Sequence, residues 1–310
     1  MRGLVNERGN IYAFMRTARP RRHSKALPDA VDTYGFSHDA TISWVMDAMP
    51  GSVGYRGGVS QRVARRWMTQ VSHNLWVAHK FDDLDAGIEG LPYLQRLLHT
   101  ALGRSAMSGS ELSSLEYAGP HPYANIAMAM ERASGGFDLL SMGTCGVVSV
   151  TGSDTVPFRS RRTELDTLAE EVRLASSHTN DASLRRYQAL CRDYVGAVSN
   201  LVNVDGGVWR ARDAESALHA EVGSFDDATA VLVATDGALN YGMSKGFVRE
   251  LMRTPLRDEW AISHFDIGGA GDVTLVLHAN GTLAAANEAE AEEESASEDR
   301  LALFDAVPPF

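Results

Sequence analysis

The chain has little cysteine, no long apolar run and no excess of basic charge. Two cysteines among 310 residues, Cys145 and Cys191, cannot build a disulfide framework and are typical of a reducing compartment. No stretch approaches the roughly 20 apolar residues of a membrane span, and no apolar signal segment precedes Pro20. We therefore expect a cytoplasmic protein that does not enter a membrane.

The formal charge of −11 is concentrated near the C-terminal end. Residues 288–299 hold seven acids and no base, whereas residues 1–287 carry 28 bases and 32 acids, a net charge of −4. A nearly balanced folded region offers no broad basic surface, so we expect no nucleic-acid partner.

Composition divides the chain into three regions: a basic lead-in over residues 1–27, one large domain over residues 28–282, and an acidic tail over residues 283–310. The tail cannot bury enough apolar surface to offset the entropy of ordering, so it is predicted to be disordered. It ends in two short apolar segments, residues 301–304 and 307–310. These are candidates for docking on a protein partner, for folding back on the domain, or for no role at all.

Hydrophobic periodicity predicts both helices and strands. After Gly57-Gly58, apolar residues recur every fourth position from Val59 to Leu75, which indicates a long helix with one buried stripe. A second helix is predicted over residues 92–102. Strand patterns cover residues 10–16, 123–131, 137–142, 147–151, 202–212, 230–235 and 272–278, and further helices are predicted over residues 164–177, 183–201 and 214–222. Strands interrupted by helix pairs favour antiparallel sheets with helices packed outside.

Two of the apolar runs break at an aspartate followed by a small residue. One run leads to Asp47-Ala48 and the other to Asp236-Gly237. Carboxylates at the ends of buried strands are well placed to bind a hard metal ion. The sequence therefore predicts that Asp47 and Asp236, although far apart along the chain, share one metal site. The histidines show no Cys/His spacing of the zinc kind and are assigned no site, and both cysteines are expected to be small buried groups.

The order of these segments resembles the metal-dependent type 2C (PPM-type) protein phosphatase family, in particular its divergent bacterial members. An acidic pair before a strand is similar to residues 28–32. A strand ending in Asp-Gly before a Gly-rich loop and a long helix is similar to residues 43–58 and the helix after them. Further likenesses are the central strand ending at residues 142–145, the segment 203–209, and the motifs at residues 235–237 and 271–274. The resemblance covers roughly residues 28–279.

The resemblance implies a four-layer α/β/β/α sandwich of two antiparallel sheets flanked by helices, an α+β fold. It implies a serine/threonine protein phosphatase that hydrolyses a phosphorylated protein substrate with water activated by two Mg²⁺ or Mn²⁺ ions.

The family's site residues fall on six positions of this chain. By the resemblance, Asp47, the Ala48 carbonyl, Asp236 and Asp272 are metal ligands. Asp29 accepts a hydrogen bond from metal-bound water, and Arg22, favoured over Lys25, binds phosphate.

The chain departs from the family pattern at three positions, and two of them, Thr144 and Gly271, together with the acidic tail, support a second interpretation. Ala48 replaces a glycine, Thr144 replaces an acid, and Gly271 stands where the last metal-binding aspartate is expected, with Asp272 one residue later. One step along a strand reverses the side-chain direction unless a bulge restores it. The alternative is a catalytically impaired pseudo-enzyme that acts as a binding or regulatory module. A hydrolase with an N-terminal nucleophile is a third, less favoured class, because the Met1-Arg2-Gly3 start offers no Ser, Thr or Cys.

Overall fold

Two antiparallel β-sheets lie at the centre of the computed structural model. The structure describes a discontinuous set of residues: 4–16, 32–49, 58–82, 84, 89–115, 121–151, 154–159, 171, 174–175, 180–200, 203–204, 209–239, 247, 251 and 273–283. No helix in these ranges is long and apolar enough to span a bilayer.

Within the described residues, sheet A has six strands, which we number in chain order. They are β1 (Leu4–Val5), β2 (Ile11–Arg16), β7 (Gly146–Thr151), β8 (Asp154–Arg159), β10 (Ala230–Ala234) and β11 (Val273–Ala279). Their order across the sheet is β1-β2-β11-β10-β7-β8.

Sheet B has five strands in the part of the chain that the structure describes. They are β3 (Asp32–Phe36), β4 (Ile42–Met49), β5 (Tyr123–Glu131), β6 (Phe137–Met142) and β9 (Glu221–Phe225), in the spatial order β3-β4-β5-β6-β9.

The helices of the described ranges follow here in chain order, and the first two of them pack on sheet B. They are α1 (Gly58–Phe81), α2 (Leu91–Arg104), α3 (Gly109–Ser114), α4 (Asp181–Asn200), a 3-10 turn (Ala214–His219) and the short α5 (Asp236–Leu239). The stripe predicted on α1 is buried: Val63, Trp67, Val71 and Leu75 are at most 1% exposed.

Three apolar layers separate the four structural layers. One layer lies between α1, α2 and sheet B and contains Trp44 and Trp67. A second lies between the two sheets and contains Val45 and Val233. The third covers the other face of sheet A, where Phe14 and Leu232 pack with the helical residues Phe247 and Leu251. This arrangement confirms the predicted α/β/β/α sandwich, because each sheet hides one face against the other sheet and one against helices.

Several elements differ from the sequence predictions. Strand β2 lies where a strand was predicted over residues 10–16, and it pairs with β11 from Arg16 opposite Val273 to Ile11 opposite His278, whereas β1, which pairs with β2, was not predicted. Strand β8 was not predicted, since Pro157 interrupts its pattern. Within the described residues it pairs with β7 alone and forms an edge of the sheet, where proline is tolerated.

The region around β9 also differs. The helix predicted over residues 214–222 is a 3-10 turn that ends at His219, and its last predicted residues belong to β9. Within residues 203–204 and 209–212, the predicted strand is reduced to one bridge between Ala211 and Ala124. The acidic tail from residue 284 onward lies outside the described residues.

A buried histidine links the two sheets. His278 of β11 is fully buried, and its Nδ1 shares a hydrogen bond of 3.0 Å with Ser43 Oγ of β4. Burial lowers the pKa of His278 from 6.5 to about 3, with a further lowering from the charge of Arg8, although the Ala40 carbonyl and Asp39 act in the opposite direction. The ring is therefore neutral in the folded protein at neutral pH.

We expect His278 to make the protein less stable in mild acid. Below pH 6.5 the unfolded chain takes up a proton that the folded chain refuses until about pH 3. The stability contributed by the neutral ring is thus complete above pH 6.5 and is lost as the pH falls, by about 1.4 kcal/mol per pH unit. Urea unfolding gives the free energy of unfolding at pH 7 and at pH 5. The decrease between the two pH values should be about 2 kcal/mol smaller in His278→Gln than in the wild type.

The matched control is His99→Gln, because His99 is exposed on α2. This variant should keep the wild-type pH dependence. An unchanged pH dependence in His278→Gln would contradict the assignment.

Candidate active site

Asp47 lies in the cleft between the two sheets because of the period-two alternation of β4. Trp44 and Met46 face the helices, whereas Ser43 and Val45 face sheet A, and Asp47 continues that second series. Strand β4 runs on to Met49 and pairs there with Tyr123, so the prediction that the strand ends at Asp47 was wrong. Protein atoms surround the Asp47 carboxylate, although the residue retains some solvent exposure.

Asp32 joins Asp47 from the neighbouring strand. It is the first residue of β3 and stands directly opposite Asp47 in the register. Its Oδ2 accepts hydrogen bonds from the hydroxyls of Thr235, at 3.3 Å, and Thr274, at 3.1 Å, which both belong to the sheet A side of the cleft. Asp32 therefore connects the two sheets at the site.

Asp236 reaches the same cleft from the end of β10. The strand ends at Ala234, and Asp236 begins the short helix α5. Thr235 between them is fixed by its backbone N–H, which donates to the Thr274 carbonyl at 3.0 Å. Strand β10 is thus held against β11 up to the residue before the carboxylate.

The electrostatics show that the three aspartates are neighbours. Burial raises the pKa of Asp47 well above its ordinary value, and the charges of Asp236 and Asp32 raise it further. A hydrogen bond from Asn125 and the positive charge of Arg210 act in the opposite direction. Asp47 therefore lies within electrostatic range of Asp236 and also of Asp32, to which the sequence assigned no role.

Asn125 orients the Asp47 carboxylate. It stands opposite Asp47 on β5, and its Nδ2 donates to Asp47 Oδ2 at 3.1 Å. The Asn125 side chain is buried, and its Oδ1 has no hydrogen-bond partner among the described residues. Arg210, 3% exposed, is placed by its backbone N–H, which donates to Asn203 Oδ1 at 2.7 Å. Sequence reasoning assigned no role to either residue: Asn125 lies within an alternating strand pattern, and Arg210 directly follows the quoted segment 203–209.

The turn between β6 and β7 packs against the side chain of Asn125. Gly143 has φ of 72°, and a Cβ there would collide with the side-chain amide of Asn125. Cys145 is fully buried, as predicted, and burial together with the charges of Asp47, Asp236 and Asp32 raises the pKa of its thiol well above the ordinary value. The thiol is therefore protonated, which disfavours a nucleophilic role.

The residues present suit hard divalent cations. Three carboxylates form an oxygen-donor set, and a cation would offset the burial and the like-charge repulsion that together raise the pKa of Asp47. Within the described residues, only a different group, discussed below, places three ligand atoms within 4.8 Å of one another. The oxygens of the three aspartates are therefore farther apart than the ligand atoms around a single ion. Two ions about 3.5–4 Å apart need ligands with such a wider spacing.

Several solved structures that this chain resembles are bacterial phosphatases. A bacterial serine phosphatase gives a TM-score of 0.55 at 13% identity, covering 88% of this chain and 98% of that one. Stp1 from Staphylococcus aureus gives 0.53 at 12% identity, over 89% of this chain and 96% of Stp1. The catalytic domain of the serine/threonine phosphatase PstP, solved with two manganese ions, gives 0.50 at 12% identity, over 87% and 96%.

The chain has the fold of bacterial PPM-type serine/threonine phosphatases. No protein-family model and no curated protein matches the sequence.

Within this PPM-type fold, the structure describes only some of the predicted site residues. Ala48 lies in β4 opposite Ala124, and its φ is not positive, so the replacement of glycine causes no backbone strain there. Arg22, Asp29 and Asp272 lie outside the described residues, and their roles remain predictions.

Proposed function

We propose that this protein is a metal-dependent phosphomonoester hydrolase that acts on phosphoserine or phosphothreonine in cytoplasmic proteins. The observation that carries the proposal is the convergence of Asp32, Asp47 and Asp236 in the cleft between the sheets. The PPM-type fold supports it, as does the pair of manganese ions in the PstP structure.

The described residues have distinct roles in this proposal. Asp47 and Asp236 hold two Mg²⁺ or Mn²⁺ ions, with Asp32 beside them as a further ligand or as an acceptor for bound water. Thr235 and Thr274 orient Asp32, and Asn125 orients Asp47. Bound divalent ions supply an activated water and offset charge on the phosphoryl group.

The remaining roles concern ligands and phosphate binding. The Ala48 carbonyl and Asp272 are proposed as further metal ligands and Asp29 as an acceptor for bound water. Arg22 is proposed to bind the substrate phosphate.

Thr144 favours the pseudo-enzyme as the second candidate. By the resemblance it stands in the place of an acid, and its buried Oγ1 has no hydrogen-bond partner among the described residues. A hydroxyl contributes no negative charge, so the metal affinity of the site is expected to be weaker. The loss of this acid supports a protein that has the phosphatase fold and binds a partner but does not hydrolyse phosphate esters.

Metal removal tests the proposal. The protein treated with a chelator and then dialysed should not hydrolyse p-nitrophenyl phosphate or a phosphothreonine peptide. Millimolar Mn²⁺ should restore both reactions, because water activation and charge neutralisation at the phosphate both depend on the ions. The assay is release of nitrophenol or inorganic phosphate, with Ca²⁺ as the control cation and the phosphate-free peptide as the control substrate.

Two other results would count against the proposal. Hydrolysis that persists after chelation would exclude metal-activated water. Mn²⁺ binding by calorimetry without turnover of either substrate would favour the pseudo-enzyme.

A further inference from the structure

A second group of metal-ligating side chains lies at residues other than the three aspartates. His38 and Asp39 belong to the turn between β3 and β4, and His79 belongs to the last turn of α1. One ligand atom from each residue falls within 4.8 Å of the other two. His38 and Asp39 are exposed and His79 is partly buried, so an ion could enter from solvent.

The Asp39 carboxylate is held in place from its own turn. Its Oδ1 accepts hydrogen bonds from the hydroxyls of Ser37, at 2.6 Å, and Thr41, at 3.0 Å, and from the Thr41 backbone N–H at 3.2 Å. The carboxylate therefore keeps its position whether or not His79 contacts it.

His79 is held from its other side. Its Nδ1 lies 2.7 Å from the Tyr93 hydroxyl of α2, while its Nε2 lies 3.1 and 3.2 Å from the two Asp39 oxygens. A hydrogen bond to the second ring nitrogen is the usual way in which a metal-binding imidazole is oriented.

The structure assigns to His38, Asp39 and His79 a site for a single zinc-type divalent cation, bound by two imidazole nitrogens and one carboxylate oxygen with water in the fourth position. Bonds of 2.0–2.2 Å in a tetrahedron place the ligand atoms about 3.3–3.6 Å apart. The His79–Asp39 separation of 3.1–3.2 Å is close to this value. Exposed His38 supplies the third ligand by a small side-chain movement. Mixed nitrogen and oxygen ligands favour Zn²⁺ over Mg²⁺.

The ion takes the place of the Nε2 proton that His79 shares with Asp39. The metal-bound tautomer carries its proton on Nδ1, and the Tyr93 hydroxyl, which can donate or accept, then accepts from it. The nearby cations do not occupy the ligands: the Arg8 guanidinium bonds Glu131 and the Asp39 carbonyl, and Lys80 Nζ lies over the Trp76 ring at 4.7 Å. Bound metal would join the β3–β4 turn to the end of α1.

Calorimetric titration of the full chain with Zn²⁺ tests the site, with Co²⁺ absorption as a second readout because imidazole ligation in a tetrahedral site gives visible bands. His38→Gln and His79→Gln should each weaken Zn²⁺ binding at this site by at least about tenfold and remove the Co²⁺ bands. Tyr93→Phe should weaken binding by about tenfold while keeping the bands. Asp236→Asn should still bind Zn²⁺ at this site. That result would distinguish the site from the aspartate cleft of the proposed phosphatase activity.

His99→Gln is the matched control, since it removes one exposed histidine from another helix. Should His79→Gln be poorly folded, exposed His38→Gln alone decides the question. Wild-type Zn²⁺ affinity and Co²⁺ bands in His38→Gln would overturn the inference. Loss of the bands in Asp236→Asn but not in His38→Gln would overturn it as well.

Discussion

Replacing Asp47 or Asp236 with asparagine is expected to lower Mn²⁺-dependent hydrolysis of p-nitrophenyl phosphate by at least about 100-fold. Both carboxylates lie in the cleft where their charges oppose one another without metal. Asparagine keeps the size and the hydrogen-bonding capacity but removes the charge that retains a divalent ion. Turnover should fall at saturating substrate, and calorimetry should show weaker Mn²⁺ binding in both variants.

Stability distinguishes this effect from unfolding. Without metal, Asp47→Asn should be at least as stable as the wild type toward urea, because it removes one of three like charges from a largely buried position. Asp227→Asn is the matched control, since Asp227 is exposed beyond β9 and should leave both activity and Mn²⁺ binding unchanged. Hydrolysis that survives in both Asp47→Asn and Asp236→Asn would exclude these residues from the chemistry.

Gly143→Ala is expected to have the largest effect on stability near the site. The positive φ of 72° at Gly143 costs a residue with a Cβ about 1–2 kcal/mol. The added methyl group would also collide with the buried Asn125 amide, which must then move away from Asp47. We expect a loss of more than about 2 kcal/mol in the free energy of unfolding, together with weaker Mn²⁺ binding.

Gly109→Ala is the control for Gly143→Ala. Gly109 begins α3 with no positive φ, and a Cβ there would meet nothing within 4 Å, so the change should stay within about 0.5 kcal/mol. Urea denaturation of both variants measures the difference. A Gly143→Ala protein with wild-type stability would show that the β6–β7 turn can relax without displacing Asn125.

The sequence predicted those parts of the fold whose signal is local. The four-residue recurrence along α1 reflects the burial of one helix face. The apolar runs of β5, β6, β10 and β11 reflect strands that are buried on both faces. Elements whose limits depend on neighbours were less predictable. Strand β8 forms because it pairs with the free edge of β7. Strand β4 extends beyond Asp47 because β5 continues to pair with it.

The candidate site divides in the same way. Asp47 and Asp236 were predicted because each interrupts an apolar strand pattern, which is visible without a structure. Asp32 was part of a quoted motif but received no role, because only the register of β3 against β4 places it opposite Asp47. The amide of Asn125 and the charge of Arg210 reach Asp47 only through the pairing and folding of separate segments.

The sequence by itself determined the periodic elements, the near-neutral charge of the region before the tail, and two carboxylates that interrupt buried strands. Only the tertiary structure decided which residues surround those carboxylates, and it also brought His38 and Asp39 to His79 from another element. The physical reason is that periodicity records which face of an element is buried. The atoms across a cleft are set by strand register and sheet packing between residues as far apart as Asp32 and Thr274.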